Sequence, residues 1–174
     1  MDTLILLIET ATERCSCALA NNQGIVSYAE SNEPNSHSAK LSLLIDDLFS
    51  QNSYNYSDLS AIAVSIGPGS YTGLRIGVST AKGLAYALDI PIITLPTCEV
   101  FAAPVLEKNP NACCVSMIDA RRMEVYATIY YDKKAYESKS SIAKLHALYG
   151  KATNEYFAGR IDDFRNTAFE FQSL

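Results

Sequence analysis

The sequence has little histidine and no excess of positive charge. It contains only two histidines, His37 and His146, and acidic residues outnumber basic ones, giving a formal net charge of −5. Its five cysteines include one C-x-C pair, Cys15 and Cys17, but no second pair with matching spacing follows. We therefore predict no metal site, reduced and buried thiols, a cytoplasmic location, and no attraction of the whole chain to nucleic acid.

Long apolar segments are also missing. The first apolar run, in "MDTLILLIET", has no basic residues before it and ends at Glu9, which is typical of a core strand rather than a signal peptide. No other segment is long enough to cross a membrane, so we expect no membrane contact. With 48% hydrophobic residues and no low-complexity run, the chain is expected to fold around an apolar core.

The pattern of apolar residues predicts two lobes in an α/β chain. Over residues 1–108, β-prone runs alternate with helical periodicity and predict the order βββαβαβα. Residues 109–174 are predicted to form a second lobe, which begins with a two-stranded hairpin. From residue 133 onwards the sequence is polar and typical of helices, with few strand signals.

The segment "SIGPGSYTGLRIGVSTAKGLA", residues 65–85, is rich in glycine and raises the question of a phosphate-binding loop. In a Walker loop the second glycine is followed by lysine, whereas Gly73 is followed by Leu74. In the dinucleotide fingerprint counted from Gly67, the last glycine position holds Thr72. The spacing of the glycines therefore fails both phosphate fingerprints.

Ser70 is the first residue of the helix predicted over residues 70–88. Its hydroxyl is expected to cap that helix, with Thr72 in support. The segment "GSYTG" does not match the nucleophile elbow G-x-S-x-G in frame, and this disfavours the alternative of a serine protease.

Two glycines, Gly73 and Gly77, are predicted to lie off the apolar stripe of this helix. The predicted stripe consists of Leu74, Val78, Ala81, Ala85 and Leu88. A glycine inside a helix costs about 0.5–1 kcal/mol relative to alanine, so a compensating contact is expected. Close approach of another backbone would supply it, from the helix near residues 37–50, from another chain, or from both. The alternative is tight packing within the chain.

Three segments together resemble one known family. The segments "ILLIETATERCSCALA", "GPGSYTGLRIG" and "IDARRMEVY" resemble TsaB (YeaZ), a bacterial subunit of the machinery that makes threonylcarbamoyladenosine in transfer RNA. The resemblance extends from about Leu4 to Asp132. It implies an α/β fold of the actin-like ATPase class (sugar kinase, Hsp70 and actin; ribonuclease H-like), with a second lobe that is partial or altered.

The resemblance also implies a function. Members of the TsaB family are non-catalytic dimerisation subunits that pair with the catalytic paralogue TsaD, and the ATPase TsaE joins them. The complex modifies the adenosine next to the anticodon. No tightly bound cofactor is implied, because ATP and Mg²⁺ would act in the partner subunits, and tRNA would be met only through the complex. The same helices would serve a homodimer.

The pairing surface implied by the resemblance lies on two predicted helices. Its residues are His37, Leu41, Leu44, Tyr71, Gly73, Arg75, Ile76, Gly77 and Thr80. His37 is interpreted as an interface residue rather than a metal ligand, because Leu41 stands at i+4 where a second ligand would be needed.

The turn after the first strand is where active members of the wider fold place an acid and a glycine that approaches phosphate. Here it consists of Glu9, Thr10, Ala11 and Thr12. Ala11 places a β-carbon where a phosphate would need close access to the backbone, so we interpret the turn as a degenerate nucleotide site. The alternative is a small ATP-binding kinase or phosphohydrolase that uses Glu9 and Asp119.

A charged hairpin begins the second lobe. It carries Asp119, Arg121 and Glu124, and the match to the family motif suggests that Asp119 and Arg121 brace the cleft between the lobes. The alternatives are a merely solvated turn or a contact of Arg121 and Arg122 with RNA.

Overall fold

The computed structural model describes residues 3–33, 37–110, 113–122, 124–131, 134–141 and 169–171. The chain forms two compact units, Met1–Thr97 and Cys98–Leu174. The sequence places the division between the lobes after residue 108, and that boundary stays a prediction.

The first unit follows the predicted element order. Its elements are β1 (Leu4–Glu9), β2 (Cys15–Asn21), β3 (Gly24–Ser31), α1 (His37–Ser50), a short 3₁₀ helix (Tyr56–Asp58), β4 (Leu59–Ser65), α2 (Tyr71–Leu88) and β5 (Ile92–Leu95). A third helix, α3 (Thr97–Lys108), begins at the last residue of this unit. The order βββαβαβα is confirmed.

These strands form one mixed sheet in the order β3-β2-β1-β4-β5. The first three strands pair antiparallel, whereas β4 pairs parallel with both β1 and β5. The central strand β1 therefore joins the hairpin half of the sheet to the parallel half. Its carboxyl end, at Glu9, lies beside the carboxyl end of β4, and the loops that follow both strands meet there.

One apolar cluster holds α1 and α2 against the sheet. It includes Leu4, Leu6, Ile8, Cys15, Cys17, Leu19, Leu41, Ile45, Leu48, Ile62, Val64, Ala81 and Ala85. Alternate residues of β1 point into this cluster, as the period of two in a strand requires. Cys15 and Cys17 enter it from β2, and they are free and buried as predicted.

The second unit contains a four-stranded antiparallel sheet. Its strands are β6 (Cys113–Arg121), β7 (Glu124–Tyr131), β8 (Lys134–Ser141) and β9 (Phe169–Phe171), in the order β8-β7-β6-β9. The hairpin of β6 and β7 confirms the prediction. The expectation of helix after residue 133 is wrong for 134–141 and 169–171, because pairing with β7 and β6 overrides the weak local strand signal. An edge strand such as β8 tolerates polar residues.

Candidate functional site

The turn of residues 9–12 follows β1 and is bonded within the unit. One carboxylate oxygen of Glu9 accepts hydrogen bonds from the Ala11 backbone N–H, at 2.6 Å, and from the Ser65 hydroxyl, at 2.9 Å. The Ala11 carbonyl accepts a 2.6 Å hydrogen bond from the Ser70 N–H. Glu9 therefore links the turn to the end of β4, and Ala11 links it to the start of α2.

Burial raises the pKa of the Glu9 carboxyl above its ordinary value, because desolvation disfavours the charged form. Hydrogen bonds from the Ala11 backbone, the Ser65 hydroxyl and the Thr10 backbone lower the pKa and offset part of this effect. A carboxyl with a raised pKa is a candidate functional group, but structural networks produce such shifts too.

The turn does not fit a nucleotide phosphate. The Ala11 N–H, which could face a phosphate, donates to Glu9 instead. Ala11 is buried, and the α-carbon of Gly69 lies so close to it that a β-carbon added at Gly69 would clash with Ala11. The Glu9 carboxyl therefore occupies the Ala11 amide, and the backbone at Gly69 occupies the space beside Ala11. This geometry favours the degenerate-site interpretation, which stays a prediction.

The glycine-rich loop between β4 and α2 serves the turn into the helix. The Gly67 N–H donates to the Thr97 hydroxyl at 3.2 Å, and the Thr97 N–H donates to the Gly67 carbonyl at 2.8 Å. Gly67 and Gly69 both have positive φ, at 115° and 157°, where side chains are disfavoured. The Ser70 hydroxyl accepts from the Gly73 N–H at 3.2 Å, which confirms Ser70 as the N-cap of α2.

Gly73 and Gly77 face Thr10, and both are buried on the core side of α2. A β-carbon added at Gly73 would clash with the Thr10 carbonyl oxygen, and one added at Gly77 would clash with the Thr10 hydroxyl. The expectation that these glycines lie off the core stripe is therefore wrong. Tight packing within the chain, the alternative named above, accounts for both, because the Thr10 backbone carbonyl approaches Gly73 and the Thr10 side chain approaches Gly77.

Thr10 is itself unusual. It is fully buried, and its hydroxyl has no hydrogen-bond partner among the residues that the structure describes. A buried hydroxyl without a partner is destabilising, so the position of Thr10 against the two glycines lowers the stability of the folded unit.

His37 and Leu41 also point into the unit. His37 is the first residue of α1, and its Nε2 donates a 3.0 Å hydrogen bond to the Thr12 carbonyl. Because a carbonyl can only accept, Nε2 carries the proton. Leu41 is a buried core residue, and Leu44 is half-buried beside the core. Neither His37 nor Leu41 presents its side chain to a partner in this conformation.

The exposed face of α2 carries the remaining predicted interface residues. Tyr71 is 74% exposed, and the Arg75 guanidinium carbon lies 5.4 Å from the centre of its ring. Arg75 also donates to the Tyr71 hydroxyl at 3.4 Å. Ile76 and Thr80 are half-buried on the flank of the helix. This part of the predicted surface is accessible to a partner.

The same helix holds exposed residues that the sequence prediction did not include. Tyr86 is 91% exposed, and a β-carbon at Gly83 would meet no atom within 4 Å. Gly83 belongs to a strip of exposed residues with small side chains along one side of α2, which we call the small-residue strip: Thr72, Ser79, Gly83 and Ala87. The sequence contained a signal for this position. Gly83 lies six residues after Gly77, so it does not continue the four-residue spacing of Gly73 and Gly77. On α1, Leu43 is likewise 57% exposed.

The charged hairpin lies between β6 and β7. Asp119 is exposed and pairs in register with Val125, while Arg121 pairs with Glu124 after an irregularity in the ladder. Arg122 occupies the left-handed region, with φ of 55°. The side chain of Arg121 lies outside the described residues, so the bracing of the cleft stays a prediction.

Among the residues that the structure describes, no three His, Cys, Asp or Glu residues come close enough together to hold a metal ion. Within the same residues, no helix has both the length and the apolar character needed to span a membrane.

Comparison with known proteins gives consistent matches. The family described as "TsaD: tRNA N6-adenosine threonylcarbamoyltransferase" matches residues 21–163. A protein of Escherichia coli K12 named tRNA threonylcarbamoyladenosine biosynthesis protein TsaB is 36% identical over 126 residues, covering 72% of this chain and 54% of its own length. The protein of the same name from Bacillus subtilis 168 is 35% identical over 129 residues, covering 74% and 56%.

Among solved structures, YeaZ from Pseudomonas aeruginosa matches with a TM-score of 0.66 and 29% identity, covering 79% of this chain and 65% of its own. The predicted fold class, an α/β protein of the actin-like ATPase type, is confirmed. The chain spans about half the length of the curated relatives it matches.

Proposed function

The chain belongs to the TsaB (YeaZ) family, and from this premise we propose that it acts as a non-catalytic dimerisation subunit in the synthesis of threonylcarbamoyladenosine in tRNA. Its partner would be a TsaD-like catalytic paralogue, with a TsaE-like ATPase joining the pair. The names of the relatives from E. coli and B. subtilis support the pathway. ATP and Mg²⁺ would act in the partner subunits, and tRNA would be met only through the complex.

The observation that carries the proposal is an exposed glycine on α2, Gly83, for which the described residues give no packing reason. Gly73 and Gly77 are accounted for by Thr10, but nothing within the described residues requires a glycine at Gly83. A glycine inside an exposed helix costs about 1 kcal/mol relative to alanine, and here no contact within the unit offsets that loss. Close approach of a partner helix along the small-residue strip would offset it.

The aromatic residues beside this strip support a protein partner. Tyr71 and Tyr86 are both largely exposed, and tyrosine and arginine are enriched in the energetically dominant positions of protein interfaces. Arg75 already lies over the Tyr71 ring, so the pair would lose little side-chain freedom on binding.

We also propose that this subunit neither binds a nucleotide for catalysis nor contacts tRNA directly. The Ala11 N–H is bonded to Glu9, and the backbone next to Gly69 fills the space beside the turn. The formal charge of −5 is unfavourable for a direct, sequence-independent contact with tRNA. Calorimetry with Mg-ATP checks this part, since micromolar binding by the isolated chain would favour a kinase or phosphohydrolase instead.

The docking surface can be tested by placing a large side chain on the small-residue strip, at a position where a β-carbon meets no other atom. Gly83→Leu should weaken binding to the paralogue strongly and leave the unit folded, because the position is exposed and a β-carbon there meets no atom within 4 Å. Ala103→Leu, at an exposed position of α3, is the matched control and should bind as the wild type does. If Gly83→Leu binds as tightly as the control, the small-residue strip is not the docking surface.

A further inference from the structure

The turn of residues 9–12 makes directional contacts with three other elements of the first unit. Glu9 accepts from Ser65 at the end of β4, and Ala11 accepts from the backbone of Ser70, the N-cap of α2. Thr12 accepts from His37, the first residue of α1. The turn is therefore bonded to the end of β4 and to the starts of α1 and α2.

The contacts converge on the first turns of the two helices. His37 begins α1, and Ser70 precedes the first residue of α2. Thr10 lies against the next two turns of α2, through Gly73 and Gly77. The start of each helix is therefore tied to the same short segment.

The buried positions of α2 differ between its two halves. They are Gly73 and Gly77 in the first half, and Ala81 and Ala85 in the second. The glycines contribute no side chain to the apolar cluster, whereas the alanines belong to it, and Ile76 and Val78 pack against the cluster from the flank of the first half. The contact with Thr10 and the bond between Ser70 and Ala11 therefore add to this apolar packing in placing the first half of α2.

We propose that the turn of residues 9–12 is a positioning device that sets the first turns of α1 and α2 relative to each other, and so sets the affinity of the docking surface for its partner. Glu9 and His37 are its positioning residues. Glu9 holds the shape of the turn through Ala11 and Ser65, and His37 attaches α1 to it through Thr12. The proposal rests on the proposed function, because the docking surface, which is the small-residue strip, lies on α2.

The positioning role differs from a contribution to stability alone. Hydrogen bonds have preferred directions, so losing one changes the orientation of a helix end. Apolar contacts are not directional, so losing one in the cluster lowers stability without reorienting a helix in a particular direction.

The test compares pairs of variants in the full chain. Glu9→Ala and His37→Phe remove the acceptor and the donor, whereas Glu9→Gln and His37→Gln keep a side chain that can replace each bond. The dissociation constant for the TsaD-like paralogue is measured by calorimetry at a temperature where circular dichroism shows every variant folded. Leu48→Ala is the control, because it creates a cavity in the apolar cluster away from the turn.

We expect Glu9→Ala and His37→Phe to weaken binding about five- to tenfold. The two glutamine variants should restore most of the affinity, and Leu48→Ala should bind as the wild type does despite its lower stability. If Glu9→Ala and His37→Phe bind as tightly as the wild type, the positioning role is wrong. It is equally wrong if Leu48→Ala loses as much affinity as they do, since the effect would then follow stability alone.

The two proposals fail in distinguishable ways. If the wild-type chain does not bind the paralogue, the proposed function is wrong. If the wild type binds and Gly83→Leu does not, but the turn variants have no effect, the docking surface stands and the positioning role is overturned.

Discussion

The hydroxyl of Thr10 lies against the backbone of α2 at Gly77, in a gap that only a residue without a side chain leaves open. The Thr10 carbonyl occupies the corresponding space at Gly73. The turn after β1 is therefore packed into α2, and the two glycines of this helix are required by the fold of the unit itself.

The glycines of α2 should respond to alanine in opposite directions. Gly73→Ala and Gly77→Ala should each lower the free energy of unfolding by about 1–3 kcal/mol or more, because the added β-carbon forces Thr10 away. Gly83→Ala should raise it by about 0.5–1 kcal/mol, since its β-carbon meets nothing and alanine favours the helix. Urea unfolding followed by circular dichroism measures all three. A loss of stability in Gly83→Ala would show that the position is strained after all.

Asp89 ends α2 in the left-handed region, with φ of 55° and ψ of 44°. A non-glycine residue there costs about 1–2 kcal/mol, and its negative charge opposes the partial negative charge of the helix C-terminus. Asp89→Gly should therefore raise the free energy of unfolding by about 1 kcal/mol. Asp89→Asn, which removes only the charge, should gain less; an equal gain would assign the effect to charge rather than to the backbone.

The raised pKa of Glu9 predicts a dependence of stability on pH. The folded state favours the protonated carboxyl, so the stability from this group is fully present below the ordinary pKa of 4.5 and is lost as the pH rises through the raised pKa. Glu9→Gln, which cannot ionise, should unfold at higher urea concentration than the wild type near neutral pH. The difference should disappear in acid, and a difference that stays constant with pH would contradict this assignment.

The thiol of Cys17 should be unreactive in the folded protein. Burial, together with the neighbouring Cys15 and Asp47, raises its pKa to about 12, so almost no thiolate is present near neutral pH. Iodoacetamide should label Cys17 far more slowly in the native protein than in urea, as followed by mass spectrometry of the peptide. Similar rates in both conditions would mean that this part of the core opens readily.

The order of elements in the first unit could be predicted because its signals are local. The apolar run of β1, the periodicity of α1 and the capping hydroxyl of Ser70 each determine their own segment. The strand β8 could not be predicted, because its residues are polar and its pairing with β7 depends on a neighbour supplied by the fold.

The function of the helical glycines could not be assigned from spacing alone. Glycines four residues apart indicate close approach, but the approaching group, Thr10, is distant in sequence and reaches α2 only once β1 and β4 pair in parallel. For the same reason, the bond between His37 and Thr12 was missed, and His37 was interpreted as part of an exposed surface.

The central position of β1 also has a kinetic consequence. This strand pairs with β2, which follows it directly in the sequence, and with β4, which comes only after β3 and α1. Closing the longer connection loses chain entropy before the parallel ladder can compensate, so docking of β4 should limit the rate of folding.

Ile62→Val in β4 is then expected to slow refolding in stopped-flow experiments more than it speeds unfolding. Until β4 docks, the edge of β1 is open to pairing with other chains, and the newly made lobe is most prone to aggregate in that interval.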